Sequence, residues 1–122
     1  MSPLLWLGIA ALGGLGAVGR FLLDVTVASR VDGDFPFGTL AVNVSGAFAL
    51  GLLLGVSLEG DAFLLAGAAT LGSYTTFSTW MLETHRLGED SALGLALANV
   101  AVSAAVGLAA AALGRAIGGA LL

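Results

Sequence analysis

Long uncharged, apolar runs alternate with short charged stretches along this chain. The longest runs without a charged residue are Leu4–Gly19, Phe35–Leu58, Ala62–Leu82 and Ser91–Gly114. Each run is near the roughly 20 residues that a helix needs to cross a bilayer. The first run extends through Arg20 and Asp24, because the residues around both charges are apolar. The pattern therefore predicts four spanning helices, at about residues 4–29, 35–58, 62–84 and 91–117.

Composition indicates an integral membrane protein. Of the 122 residues, 58% are hydrophobic and only 10% are charged, and the mean hydropathy is +1.04. Soluble domains carry about 25% charged residues. We therefore predict one all-α transmembrane domain over residues 1–122, without a soluble domain. The net charge of −4 argues against a nucleic-acid surface, and the absence of cysteine excludes disulfides and thiolate metal sites.

The predicted connections are very short. They are Arg30–Asp34, Glu59–Asp61 and Thr84–Asp90. Helices joined by so few residues must run antiparallel to their neighbours in the chain, as in an up-down bundle.

Positive charges are too few to favour one orientation in the membrane. Lysine is absent, and the only arginines are Arg20, Arg30, Arg86 and Arg115. Three of them fall on one side of the predicted bundle, one of these inside a span, and Arg115 falls on the other. Because the positive-inside bias sets orientation, insertion in both directions is expected. We predict an antiparallel dimer of oppositely oriented copies, with its two-fold axis in the membrane plane.

Small and polar residues recur every four positions on two of the predicted spans. The stripe on the second span is Thr39, Asn43, Ala47, Gly51 and Gly55, and the stripe on the fourth is Asn99, Ser103, Gly107, Ala111 and Arg115. Stripes of small residues let helix backbones approach closely in lipid. A chain with 19 glycines also produces such matches by chance. We favour close packing as the interpretation and do not assign the stripes a specific role in a dimer.

The polar ends of these stripes are candidates for an ion path. Asn43, with Thr39 one turn earlier, lies well inside the second span, and Asn99 and Ser103 lie inside the fourth. Amides within a membrane need partners, and interhelical hydrogen bonds of about 0.6 kcal/mol are the simpler interpretation. Two amides beside a third span rich in Ser and Thr favour a polar track.

Arg20 and Asp24 are four residues apart on the first span. This spacing favours an ion pair on one helix face. Alternatively, Arg20 lies at a vestibule mouth, where its charge concentrates anions. The two interpretations are compatible.

The third predicted span has an unusual concentration of Gly, Ser and Thr between Gly72 and Trp80. Lipid cannot hydrogen-bond free backbone groups, so a loosened helix persists only where protein or a watery cavity faces it. We predict a broken helix that carries an ion site. Where helical hydrogen bonds are lost, carbonyls such as those of Gly72 and Thr75 are free to coordinate Na⁺ or a proton.

Two aromatic residues follow the predicted break. Phe77 and Trp80 are three apart, so on a helix they share a face. Aromatic ring edges are positive and attract a small anion without a formal charge, and the hydroxyls of Ser78 and Thr79 would suit a partly dehydrated ion. Spacing alone favours ordinary packing, and Trp80 is near the span's end, where Trp commonly anchors at the headgroups.

These residues resemble the Fluc (CrcB) family of fluoride channels over nearly the whole chain. The motifs are Gly13-Gly14-x-Gly16-Ala17-x-x-Arg20, Pro36-x-Gly38-Thr39-Leu40-x-Val42-Asn43-x-x-Gly46, and Gly72-x-x-Thr75-Thr76-Phe77-Ser78-Thr79 ending at Glu83. The resemblance implies four-helix subunits in an antiparallel dual-topology dimer with two fluoride pores and a central structural Na⁺. It also implies passive export of fluoride through a prokaryotic plasma membrane, which lowers the cytoplasmic concentration.

The resemblance assigns roles to individual residues. Asn43 matches the family's pore asparagine, and Phe77 matches the first of its two pore phenylalanines. Gly72 and Thr75 match the positions whose backbone carbonyls hold Na⁺. Arg20 matches the arginine near the vestibule.

Agreement with the family pattern is weaker at other positions. Asn99 and Ser103 fall where the family has a polar track on the fourth span. Trp80 stands where the second pore phenylalanine is expected, and Ser73-Tyr74 replaces the usual second glycine and its neighbour. The indole would narrow the pore or offer the anion a hydrogen bond. A homodimer is favoured over a drifted subunit of a heterodimeric channel, an alternative that these departures leave open.

Other functions fit the residues less well. A small four-span proton-coupled exporter would need a carboxylate in the middle of a span, whereas Asp24 and Glu83 are near span ends. A purely structural subunit would not explain Asn43 and Phe77 beside the Gly72–Thr79 stretch. We do not expect an enzyme, since there is one histidine and no nucleophile–base pair.

Overall fold

The computed structural model describes residues 1–122 as an all-helical chain. Its elements are α1 (Pro3–Ala28), α2 (Phe37–Gly55), α3 (Gly60–Phe63), a π-helix (Leu64–Leu71), α4 (Gly72–Tyr74), α5 (Ser78–Glu89) and α6 (Leu93–Ala120). The first helix begins with Pro at a position that needs no N–H donor, and Ser2 caps it through a hydrogen bond of 3.1 Å from the Leu5 N–H to Oγ.

Three continuous helices, α1, α2 and α6, are long and apolar enough to cross a membrane. Only 13 of the 122 residues are buried, and large apolar side chains remain exposed along the helices. A soluble protein rarely exposes so much contiguous apolar surface. The prediction of an all-α integral membrane protein is therefore confirmed.

The third predicted span is a composite of helical segments rather than one helix. It consists of α3, the π-helix, α4, an interruption at residues 75–77, and α5. The interruption falls within the stretch in which a broken helix was predicted. The π-helix was not predicted, and the expected loop Thr84–Asp90 is wrong, because α5 continues to Glu89. His85 Nε2 lies 2.6 Å from Glu89 Oε1 on this exposed last turn.

Helices α2 and α6 form the most extensive contact in the molecule, and glycines make it possible. A Cβ at Gly51 or Gly55 would overlap the backbone of α6 at Ala111 or Arg115. A Cβ at Gly114 would likewise overlap the Phe48 carbonyl of α2. Close packing is therefore confirmed at the small ends of the two stripes, where Gly51 and Gly55 meet Ala111 and Arg115, but not at Gly107.

Helix α1 packs on the other side, against the π-helix and α4. Gly16 is buried where the carbonyl of Thr70 approaches it, and Gly19 lies beside the Tyr74 ring. The Tyr74 hydroxyl lies 2.8 Å from the Ser45 hydroxyl of α2. Tyr74 therefore joins α1 to α2, which gives a packing role to one of the two departures from the family pattern.

The glycine contacts also show the helix directions. Gly51 meets Ala111 and Gly55 meets Arg115, so α2 and α6 run parallel. Alternation along the chain then gives the predicted up-down arrangement. The expected Arg20–Asp24 ion pair is wrong, because Asp24 lies against Gly38 of α2.

Candidate functional site

The backbone leaves helical geometry at Thr75. This residue is extended, with φ −83° and ψ 158°, and Phe77 returns to the helical region with φ −87° and ψ −43°. The N–H and the hydroxyl of Thr75 both donate to the Leu71 carbonyl at 3.0 Å, which ends the preceding helical segment. The downstream backbone groups therefore need other partners.

Asn43 of α2 supplies partners for the interrupted backbone. Its Oδ1 accepts from the Thr76 N–H at 2.8 Å, and its Nδ2 donates to the Thr76 carbonyl at 2.8 Å. One amide thus replaces both hydrogen bonds that Thr76 would make in a continuous helix. Asn43, a predicted pore residue, is bound to the break through both ends of its amide.

Thr76 caps the helix that follows. Its Oγ1 accepts from the Thr79 N–H at 3.1 Å, as an N-cap side chain does. The Ser78 hydroxyl is 3.4 Å from the same oxygen. The predicted pore residues Ser78 and Thr79 therefore form the first turn of α5, immediately after the break.

Two carbonyls at the break have no hydrogen-bond partner in the protein. The Thr76 N–H that would reach the Gly72 carbonyl in a helix donates to Asn43, and the Thr79 N–H that would reach the Thr75 carbonyl donates to Thr76. Neither carbonyl accepts another bond. The Gly72 and Thr75 carbonyls are therefore among the unsatisfied backbone groups at the break, together with the Phe77 N–H, which donates to no carbonyl.

Phe77 and Trp80 form the aromatic pair that follows the break. Their ring centroids are 5.8 Å apart and their planes are nearly perpendicular, at 89°. This edge-to-face geometry is favoured by the ring quadrupoles. The Phe77 side chain is 69% exposed, and the aromatic ring that it contacts is that of Trp80.

The Trp80 indole is bound to α6. Its Nε1–H donates to the backbone carbonyl of Asn99 at 3.0 Å. Asn99 is 1% exposed, and its Nδ2 donates to Thr84 Oγ1 at 2.8 Å and to the Trp80 carbonyl at 3.4 Å. Ser103 donates to Asn99 Oδ1 at 3.3 Å. The predicted residues Asn99 and Ser103 are thus connected to Trp80 by hydrogen bonds.

Five predicted site residues line one open cavity of about 500 Å³: Asn43, Gly72, Thr75, Phe77 and Trp80. The remaining lining is mostly apolar. Five other predicted pore residues, Thr39, Ser78, Thr79, Asn99 and Ser103, lie outside its wall, as does Arg20, which is half-buried on α1.

Thr39 lies in a second polar region. It is 3% exposed, and its buried hydroxyl lies beside the carboxyl of Glu83, whose Oε1 is also buried. Glu83 also lines a cavity of about 380 Å³ with Asp34, Arg86 and Asp90. This cavity lies near the loops, at the far end of α5 from the break.

Thr76, Tyr74 and Thr84 were not selected as site residues from the sequence. Each carries one of many hydroxyl groups in the chain. Its hydrogen-bond partner is a distant residue or a backbone group, neither of which the sequence indicates. Only the clustering of Ser and Thr around the break hinted at their involvement.

The fold and the site define a small helical membrane protein that crosses the bilayer more than once and carries an interrupted helix. The family model described as "CrcB-like protein, Camphor Resistance (CrcB)" matches residues 7–115. This chain belongs to the CrcB family.

Curated relatives carry a more specific name. "Fluoride-specific ion channel FluC 2" of Mycobacterium tuberculosis is 57% identical over 115 residues, which cover 94% of this chain and 91% of the relative. "Fluoride-specific ion channel FluC 1" of Leifsonia xyli is 42% identical and covers 98% of this chain and 90% of its own length. "Fluoride-specific ion channel FluC" of Citrifermentans bemidjiense is 47% identical over 100 residues, which cover 78% of this chain and 81% of the relative.

Proposed function

We propose that this protein is a fluoride-selective ion channel that lets fluoride leave the cytoplasm passively. The observation that carries the proposal is the exposed Phe77 ring, perpendicular to Trp80, at the interruption that Asn43 holds open. The family membership and the relatives' names give the ion. The protein acts as a channel rather than as an enzyme.

The chemistry around Phe77 suits a small anion that loses part of its water. Ring edges provide a weak positive potential, and the hydroxyls of Ser78 and Thr79 provide donors close by. None of these groups carries a formal charge, so the ion is not held too tightly to leave. Asn99 and Ser103 of α6 continue the polar groups beside Trp80, Thr39 belongs to the second polar region, and Arg20 concentrates anions near the entrance.

The channel is an antiparallel dimer, with a homodimer favoured over a heterodimer. Gly72 and Thr75, whose carbonyls have no partner in the protein, belong to the wall of an open, largely apolar cavity, and lipid would leave those carbonyls unsatisfied. A second copy related by a two-fold axis in the membrane plane would cover both cavities. Each subunit then spans the membrane four times, with the composite third segment as one span.

A structural Na⁺ fits at this axis. Sodium takes neutral oxygen ligands, and helix ends with free carbonyls coordinate it in other broken membrane helices. Gly72 and Thr75 of each subunit would supply these oxygens. When bound, the ion offsets the dipoles of unsatisfied carbonyls and links the two subunits.

The setting is the plasma membrane of a bacterium. A passive fluoride channel there lowers cytoplasmic fluoride whenever the inside concentration exceeds the outside. No ion gradient other than that of fluoride is needed.

Fluoride efflux from liposomes that contain the purified protein tests the function. We expect efflux without a proton gradient, unaffected by chloride, and abolished by Phe77→Ile. Phe21→Ile is the matched control, because Phe21 is also exposed but lies on α1, away from the break. Transport that requires a pH gradient would contradict the proposal and favour a proton-coupled exporter.

The assembly is tested by expressing this chain alone. A homodimer predicts a dimeric mass in detergent and flux without a second gene product. A monomer without flux would favour the heterodimer. Terminal tags that report a single fixed sidedness would contradict the antiparallel arrangement.

A further inference from the structure

The Trp80 indole has one hydrogen-bond donor, and the protein already uses it. The Nε1–H is directed to the Asn99 carbonyl at 3.0 Å. An indole has no second N–H to offer. An anion that passes Phe77 therefore meets the Trp80 ring but not a free indole donor.

Hydrogen bonds on the other side of Trp80 close a ring between α5 and α6. Asn99 Nδ2 donates to Thr84 Oγ1 at 2.8 Å, and Thr84 Oγ1 donates to the Trp80 carbonyl at 2.8 Å. The side chain and the backbone of Trp80 are thus bound to the same asparagine and its partner. We call Trp80, Thr84 and Asn99 the indole clamp.

Phe77 packs against the indole ring that the clamp holds. It immediately precedes α5 and lies two residues after the extended Thr75, so no helical turn on its N-terminal side confines its side chain. It is 69% exposed, and its ring contacts that of Trp80, with the centroids 5.8 Å apart and the planes at 89°. The clamp fixes the ring on which Phe77 rests.

We propose that Trp80 is a positioning residue, which holds Phe77 in place on the anion path through the indole clamp rather than by binding the anion. The proposal rests on the proposed function and adds a role for the indole N–H. A phenylalanine at position 80 would keep an aromatic ring but lose the bond to α6. The indole bond is made to the backbone of Asn99, and the Asn99 side chain bonds Thr84 and the backbone of Trp80.

The first test observes the indole directly. In a Trp6→Phe background, Trp80 is the only tryptophan, and its ¹⁵N-labelled indole gives one N–H resonance. We expect slow exchange of this proton with solvent, and a chemical shift that does not change when fluoride replaces chloride. A saturable shift with fluoride would make the N–H an anion ligand and overturn the proposal.

The second test measures fluoride efflux of Trp80→Phe, Thr84→Val and the double variant. Each single variant is expected to lose roughly three- to tenfold, the factor that one net hydrogen bond is worth. The double variant should be no more than about twofold worse than the worse single one, because both break the same clamp. Losses that multiply would contradict a shared clamp.

Matched controls make the same chemical changes away from the clamp. Trp6→Phe alters the other tryptophan, which is 58% exposed on α1. Thr26→Val removes a hydroxyl that bonds only the Leu22 carbonyl of its own helix. Both controls should conduct as the wild type does.

The outcomes separate the two proposals. Wild-type protein without fluoride efflux would contradict the proposed function. In that case the exchange rate of the indole proton would still show whether the indole clamp forms. A conducting wild type with Trp80→Phe unchanged would defeat the clamp alone. Should Trp80→Phe fail to assemble, Thr84→Val in the Trp6→Phe background decides, since it should speed exchange of the indole proton.

Discussion

The α2–α6 contact and the break at residues 75–77 solve opposite problems in the same membrane. In the first, backbones approach closely because Gly51, Gly55 and Gly114 have no side chains, and the helical hydrogen bonds stay intact. In the second, helical bonds are lost and the Asn43 side chain replaces some of them. The difference indicates that the packed pair provides the rigid support on which an unsatisfied backbone is held.

The largest effect is expected where the close approach itself is prevented. Gly114→Leu would force the side chain into the Phe48 carbonyl, and we expect the free energy of unfolding to fall by about 3 kcal/mol. Thermal unfolding in detergent measures the loss. Gly107→Leu is the control, because a Cβ at Gly107 on the same helix meets nothing within 4 Å. Equal losses for both variants would contradict the packing account.

The next effect tests the side-chain support of the break. Asn43→Leu leaves the Thr76 N–H and carbonyl without partners, and we expect stability to fall by about 2 kcal/mol and fluoride efflux to be lost. Thr26→Val, which removes an exposed hydroxyl bonded only within its own helix, is the control. Full stability of Asn43→Leu would mean that water or a partner subunit satisfies Thr76.

A smaller effect is expected from the proposed cation. Replacing Na⁺ by a bulky organic cation should lower the free energy of unfolding by about 1.4 kcal/mol if Na⁺ had been present at tenfold its dissociation constant. The shift should depend on Na⁺ concentration and be unaffected by Gly107→Leu. A thermal midpoint that does not respond to Na⁺ would remove the ion from the proposal.

The smallest effect compares the two regions at their helix ends. Ser57 follows α2 and Ser91 follows α5, and both are left-handed, with φ 58° and 60°. In each case the next N–H bonds back to an earlier carbonyl, Leu58 to Leu53 and Ala92 to Leu87, a helix ending that favours glycine. Ser57→Gly and Ser91→Gly should each raise stability by about 1 kcal/mol. A gain for Ser57→Gly alone would show that the two regions unfold separately.

The apolar pattern was sufficient to predict the helices and the break. Long uncharged runs have few folded solutions in lipid, so α1, α2 and α6 begin and end close to the predicted bounds. The concentration of Gly, Ser and Thr predicted the interruption. The spacing of small residues predicted close helix packing, but it did not predict that α2 and α6 would be the helices in contact.

The missed features depend on partners from other parts of the chain. Asn43 binds the backbone of Thr76. Every residue has the same backbone groups, so the residue type at position 76 gives no sign of this bond. The Arg20–Asp24 pair failed because α2 occupies the space beside Asp24. The prediction that the Trp80 indole narrows the pore or offers the anion a hydrogen bond could not include its N–H bond to Asn99, because the two residues are distant in the sequence.

The π-helix at Leu64–Leu71 has a consequence for how the chain tolerates insertions and deletions. A π-helix turns less per residue than an α-helix, in which each residue advances about 100°. Its length therefore sets the rotational phase at which Gly72 and Thr75 reach the cavity. Deleting one residue there would convert the π-helix to an α-helix. It would also rotate Gly72 and Thr75 away from the cavity. We therefore expect the segment to tolerate no change in its residue count.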